Sequence, residues 1–309
     1  MAQPAAVAEE EVPEGYEGAR PPGPSPARDL LRRWRHHPMA LAGAIGLLLF
    51  AGMAVLAPVV APYGPDAFSL GERLSPPWPV PGWAPGHWLG TDELGRDIVS
   101  RLFYGARLSL AVGAAAVVIS GVVGTALGTA AGYFGGRLDQ VVSRFADLLM
   151  AFPYLLFAIL VMGILGPGLV NLVLALSFKA WVEFFRIARG ETMAHKGRDY
   201  VEAARAIGRS SAGILWKEIL PNVAPTLLVV ATSRMGYMVL MEASLSFLGL
   251  GAPSDVPAWG SMVAAGRDHL VDAWWVSTIP GLAILLLVMS INGCGEGLRD
   301  ILDPHLRGR

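Results

Sequence analysis

Four ionisable side chains, Lys179, Glu183, Arg234 and Glu242, fall inside long apolar runs of the chain. A charged group at the centre of a bilayer costs roughly 2.5–3.5 kcal/mol, so it almost always faces a partner or a wet cavity. By helical rise, Lys179 lies about 16 Å from the end of its run and Arg234 about 20 Å from the end of another, near mid-depth in both cases. Glu183, one turn after Lys179, is a local partner for it, whereas Glu242 sits closer to the outer end of its run. Two chemistries suit such groups. One is an ion pair that holds helices together; the other is a passage in which Lys179 or Arg234 meets the carboxylate of a cargo. The sequence leaves both open.

A second cluster combines His87 with Asp92, Glu93 and Asp97, types that hold metals or act as acid pairs. A structural reading competes with it and is preferred here. Thr91 caps a helix whose first turn favours Asp92 and Glu93, while Arg96 and Arg101 pair locally with Asp92 or Asp97. Catalysis at membrane depth lacks its parts, because all six histidines lie outside the apolar runs. Cys294 is the only cysteine, so neither an intramolecular disulfide nor a Cys/His metal site is expected. The chain contains no Walker A sequence. No resident cofactor or metal is expected, and nothing points to nucleic acid.

The elements that hold these residues follow from composition. With 53% hydrophobic and 16% charged residues, the chain is too apolar for an ordinary soluble protein. Six apolar spans are expected, near Met39–Pro62, Leu108–Phe134, Val141–Leu165, Leu169–Phe185, Val223–Leu250 and Trp274–Cys294. The first would extend about 36 Å as a helix, enough to cross the hydrocarbon layer with some tilt. Basic residues set the orientation by the positive-inside rule. Arg28, Arg32, Arg33 and Arg35 precede the first span, and Arg186, Arg189, Lys196, Arg198, Arg205, Arg209 and Lys217 follow the fourth. Gly251–Ala273, on the other side, carries only Arg267. The expectation is an all-α membrane protein with six transmembrane helices and both termini inside. Residues 1–30, rich in Glu, Pro and Ala, form a disordered cytosolic tail without the features of a signal peptide. Residues 31–106 form the first helix and an external segment, 107–298 the main transmembrane domain, and 299–309 a cytosolic tail.

Between the fourth and fifth spans, about 190–220, the chain is polar and basic. Its central part reads as a compact helix: Asp199 at the cap with Glu202 bonding back to it, then Ala203, Ala204 and Ala206 as strong helix formers. Gly208 suits the left-handed residue at the end, and Pro221 suits the first turn of the next helix. Such a helix, with a small-residue face turned to the cytosol, is a docking element. In the second span Gly124, Gly128 and Gly132 recur every four residues. They mark a seam along which another helix packs closely, since association in lipid depends on small residues.

The segment from Glu202 resembles the EAA loop of ABC importer permeases, with Glu202, Ala203, Ala204, Gly208, Leu220 and Pro221 in register and Glu218 in a slot that is generally Ile. The run LGTDELGRD, from Leu89 to Asp97, is similar to the block before the second helix of dipeptide and oligopeptide permeases. GYFGGRLDQVVSRFADLLMAFPYLL, EASLSFLGLG and GEGLRDILDP extend the likeness to nearly everything beyond Leu31. The resemblance implies the type I ABC importer permease fold. It also implies a second, homologous permease subunit, two ATP-binding cassette ATPases that bind ATP and Mg, an extracytoplasmic binding protein, and a place in the cytoplasmic membrane of a prokaryote. Glu202, Ala203, Ala204, Gly208, Leu220 and Pro221 would then couple to the ATPases, and the cargo would be a dipeptide or oligopeptide, with glutathione or nickel as alternatives. An ion-coupled secondary transporter would also place charges at mid-depth, but it needs neither this loop nor separate ATPases.

Overall fold

A computed structural model describes residues 38–253 and 255–302. The expected tail at 1–30 and most of that at 299–309 lie outside them. Among the described residues regular structure is helical, apart from a single bridge between Thr91 and Asp97. The helices are α1 (Pro38–Val60), α2 (Ile98–Phe134), α3 (Gly136–Met150), α4 (Tyr154–Leu165) and α5 (Leu169–Lys196). They continue with α6 (Asp199–Ala206), α7 (Ser211–Ile214), α8 (Leu220–Phe247), α9 (Trp259–Gly266) and α10 (Trp275–Leu302). A π-helical turn at Leu215–Ile219 carries α7 into α8.

Among the described residues four helical stretches are long and apolar enough to cross a membrane: Pro38–Val60, Ile98–Phe134, Ser211–Phe247 and Trp275–Asp300. A fifth arises if α3 and α4 count as one broken span; they meet at 93°. The straight span expected over Val141–Leu165 is therefore corrected to an elbow. Pro153 lies at its corner, where it lacks an N–H and disfavours helical backbone in Phe152 before it. Lys179 donates to the Phe152 carbonyl at this elbow. α5 is long enough to span, but Lys179, Glu183, Arg186 and Arg189 interrupt its apolar face.

The helices meet through small residues, as lipid surroundings require. An added Cβ at Gly124 would lie 2.4 Å from the Trp181 carbonyl, at Gly128 2.5 Å from that of Phe185, and at Gly132 2.7 Å from that of Arg189. The glycine stripe of α2 is thus the seam against α5, inside one subunit. α1 is held on α10 in the same way, where a Cβ at Gly43 would fall 2.5 Å from the Cys294 nitrogen. The far side of α1 exposes Leu48, Val55 and Val59, as expected of a lipid-facing surface.

The segment between α1 and α2 straps one end of the bundle, where α2 and α10 begin. Thr91 does not cap a helix. Its hydroxyl accepts the Ser75 N–H at 2.9 Å and donates to the Glu72 carbonyl, so it pins distant parts of the strap together. The true N-cap of α2 is Asp97, which accepts the Ser100 N–H at 2.7 Å and contacts His87 Nδ1 at 2.9 Å. Asp92 pairs with Arg96 at 2.6 Å and lies 3.8 Å from Arg101. Trp275 Nε1 donates to the Thr91 carbonyl at 3.1 Å, anchoring the strap to the start of α10. These contacts fasten the segment onto α2 and α10.

Candidate coupling surface and transport cleft

α6 projects from the junction of α5 and α8. Val201 and Ala204 are its buried face, while Glu202, Ala203, Ala206 and Ile207 are exposed. The expected capping box is corrected: Asp199 is already helical, Arg198 occupies the cap, and no side chain caps the N-terminus. The N–H of the cap residue Arg198 donates to the His195 carbonyl at 3.1 Å, so the Glu202 carboxylate has no capping bond to make there. At the other end Gly208 has φ +80°. The Gly208 N–H donates to the Arg205 carbonyl at 3.0 Å, and the Arg209 N–H to that of Ala204 at 3.1 Å. These two bonds form a Schellman motif, which needs a left-handed residue where a Cβ would be strained.

Glu218, the departure from the EAA pattern, accepts a hydrogen bond from Arg209. The side chain that replaces Ile thus ties the end of the α6 loop to the turn entering α8. Leu220 and Pro221 open α8, with Pro221 in the first turn. Ile207 and Trp216 expose 78% and 71% of their surface beside this loop. Large apolar side chains exposed beside a short helix are suited to burial by a partner.

The mid-depth charges are sorted differently from the local pairing expected in the sequence. Glu183 pairs with Arg234 across α5 and α8, not with Lys179 one turn away. Lys179 instead lies 5.8 Å from the centre of the Tyr154 ring, beside the elbow it closes. Arg234 stacks 5.3 Å over the Tyr237 ring. Glu183 and Arg234 face a cleft of about 750 Å³ formed with α10, which adds Asn292, Glu296 and Arg299. Lys179 is not part of it. Glu242 is fully buried away from the cleft, accepting from Ser109 Oγ at 2.7 Å and Ser246 Oγ at 2.8 Å. Its carboxyl bonds α2 to α8 within the bundle.

Asn292, Glu296 and Arg299 were not singled out by sequence reasoning. Their signal is a polar row at helical spacing in the last turns of an otherwise apolar helix, beginning within the segment counted as the sixth span. Gly236 completes this arrangement, because its added Cβ would lie 2.7 Å from Asn292 Oδ1. The small residue lets α10 approach α8 and brings the Asn292 amide to the cleft.

Residues 124–308 match the family described as the inner membrane component of binding-protein-dependent transport systems. Residues 25–77 match the N-terminal TM domain of oligopeptide transport permease C. A di/tripeptide transport system permease protein, DppC, of Pseudomonas aeruginosa is 42% identical over 284 residues, covering 92% of this chain and 94% of its own length. A glutathione transport system permease protein, GsiD, of Pectobacterium atrosepticum is 40% identical over 283 residues, 92% of each chain. The fold is shared with a chain of the inward-facing MetNI methionine ABC transporter, at TM-score 0.54 and 20% identity over 66% of this chain and 96% of that one. With a family match over more than half its length and relatives aligned almost end to end, this chain belongs to the inner-membrane permease components of binding-protein-dependent transport systems.

Proposed function

We propose that the chain is one of two different permease subunits in an ATP-driven importer of short peptides. The observation that carries this reading is α6, whose Glu202, Ala203 and Ile207 stand exposed beyond the ends of α5 and α8. Two partner ATPases, which bind ATP and Mg, dock on this surface and on its counterpart in the second permease. Their closure on ATP favours one arrangement of the bundle over another, and the equilibrium shifts by the difference in affinity for the two arrangements. An extracytoplasmic binding protein delivers the cargo to the outer face. The peptide assignment rests on the named activity of the Pseudomonas relative. The glutathione relative supports a second reading in which that tripeptide is the cargo.

In this arrangement α1, α2, the α3–α4 elbow, α5, α8 and α10 make six crossings, with both termini inside. The basic residues flanking α6 and the single basic side chain, Arg267, near α9 support that orientation. Cysteine labelling in intact cells tests it. In a Cys294→Ser background, Asp268→Cys should react with a membrane-impermeant maleimide, and Ala203→Cys only after the membrane is opened. Labelling of Ala203→Cys in intact cells would contradict the topology and the docking surface together.

A further inference from the structure

We infer that the Glu183–Arg234 pair is an exchange site for a zwitterion, where a short peptide with both termini free replaces the protein's own ion pair. The inference rests on the importer reading and adds a recognition step made by the permease itself. Both side chains line the cleft between α5, α8 and α10 and keep about a third of their surface, 37% for Glu183 and 30% for Arg234. Each side chain therefore presents a free face to the cleft, where a solute of similar polarity can meet it. A cleft of about 750 Å³ falls within the size of ordinary small-molecule sites.

Pairing decides which solutes fit. A ligand carboxylate takes the Arg234 guanidinium, which is flat and suited to a two-pronged bond. The ligand ammonium takes Glu183. Each protein charge loses one partner and gains another, so none is left bare at mid-depth. A solute with a single charge frees one protein group and leaves it unpaired, which a low-dielectric setting opposes. A bare divalent cation finds one carboxylate beside a guanidinium, which has no lone pair to offer a metal and repels its charge.

Two features suggest a path with more than one such station. Tyr237 backs Arg234 with its ring face, which holds the guanidinium in place when Glu183 is engaged elsewhere. Glu296 and Arg299 place a second acid and a second base in the same cleft, one turn apart on α10. From Asn292 to Arg299 the helix rises about 10 Å, the length of a short peptide, so a zwitterion leaving the first pair meets a second acid and a second base.

The test uses the complete transporter with its binding protein in proteoliposomes, a panel of labelled di- and tripeptides, and peptide moved per ATP hydrolysed as the readout. Arg234→Gln should lower that ratio by about tenfold or more, the scale of losing a hydrogen bond to a charged group. The exchanged pair, Glu183→Arg with Arg234→Glu, separates recognition from fastening. It keeps an ion pair between α5 and α8 and should recover the thermal stability of the complex, yet leave the transport ratio low, because the guanidinium leaves the Tyr237 ring that orients it and a peptide turned to suit the swapped charges no longer matches Glu296 and Arg299. Recovery of both would overturn the inference, as would a wild-type ratio in Arg234→Gln. If Arg234→Gln does not assemble, the exchanged pair carries the test alone. A wild-type complex that moves none of the peptides would refute the importer reading, a result distinct from either.

Discussion

Reversing the charge at Glu202 should abolish ATP-coupled uptake while the protein still inserts and assembles its own helices. The Glu202 side chain is exposed on α6, and no side chain caps that helix. Glu202→Arg therefore removes no capping bond. Arg is also a good helix former, and loss of an acidic group from the first turn costs only about 0.3–1 kcal/mol. At a docked interface, by contrast, losing one member of a buried charged contact costs on the order of 2–5 kcal/mol, roughly 30-fold to several thousandfold in the docked population. The measurement is peptide uptake alongside membrane content of the variant. Normal uptake by Glu202→Arg would remove α6 from the coupling surface.

Gly128→Leu should prevent stable folding, the largest structural effect expected of any single change in the seam. A Cβ there would already lie 2.5 Å from the Phe185 carbonyl and 2.8 Å from the Ala188 methyl. Both neighbours are backbone or stub-like, so neither can swing aside. α2 and α5 would have to part, and Gly124 and Gly132 on the same seam would lose their close contacts too. Overpacking in a fitted core commonly costs about 1–3 kcal/mol, and three linked contacts along one helix pair should exceed that range. Gly121→Ala is the control, since its Cβ would sit 3.6 Å from the Phe184 ring in ordinary contact. Thermal unfolding in detergent should show a near wild-type midpoint for Gly121→Ala and little or no folded Gly128→Leu. Equal midpoints would show that the two helices do not depend on this approach.

Sequence reasoning read best where the signal is local and repeats. The helix over α6, the left-handed Gly208 and the opening of α8 at Pro221 follow from short-range backbone preferences. The four-residue glycine spacing marks one face of α2, although only the fold shows that α5 lies against it. What escaped depends on contacts between distant segments. Thr91 looks like a cap locally, but its hydroxyl is used by Ser75 and Glu72, and the cap passes to Asp97. Glu183 has Lys179 one turn away, yet the larger guanidinium of Arg234 reaches it from α8, and Lys179 turns to a carbonyl freed by the elbow. Hydropathy sums over Val141–Leu165 carry no direction, so the 93° bend at Phe152–Pro153 did not register.

The reading gives the polar residues of this membrane protein distinct tasks. The contacts around Asp97 fasten the strap, Glu242 bonds α2 to α8, and the cleft at Glu183 and Arg234 is the place we propose for cargo. α6 takes the cytosolic input, and Arg209 with Glu218 ties its loop to the base of α8, so a push on α6 reaches the helix that carries Arg234. A mobile linkage would lose that motion in the loop.

Recovery of the tagged chain from gently solubilised native membranes, with every partner identified by mass and uptake measured after reconstitution, tests the central claim most directly. The account requires a second permease and two P-loop ATPases in the complex, with peptide uptake that stops when ATP or the binding protein is withheld. A chain recovered alone or only with itself, and still transporting without ATP, would contradict it and identify an ion-coupled carrier instead.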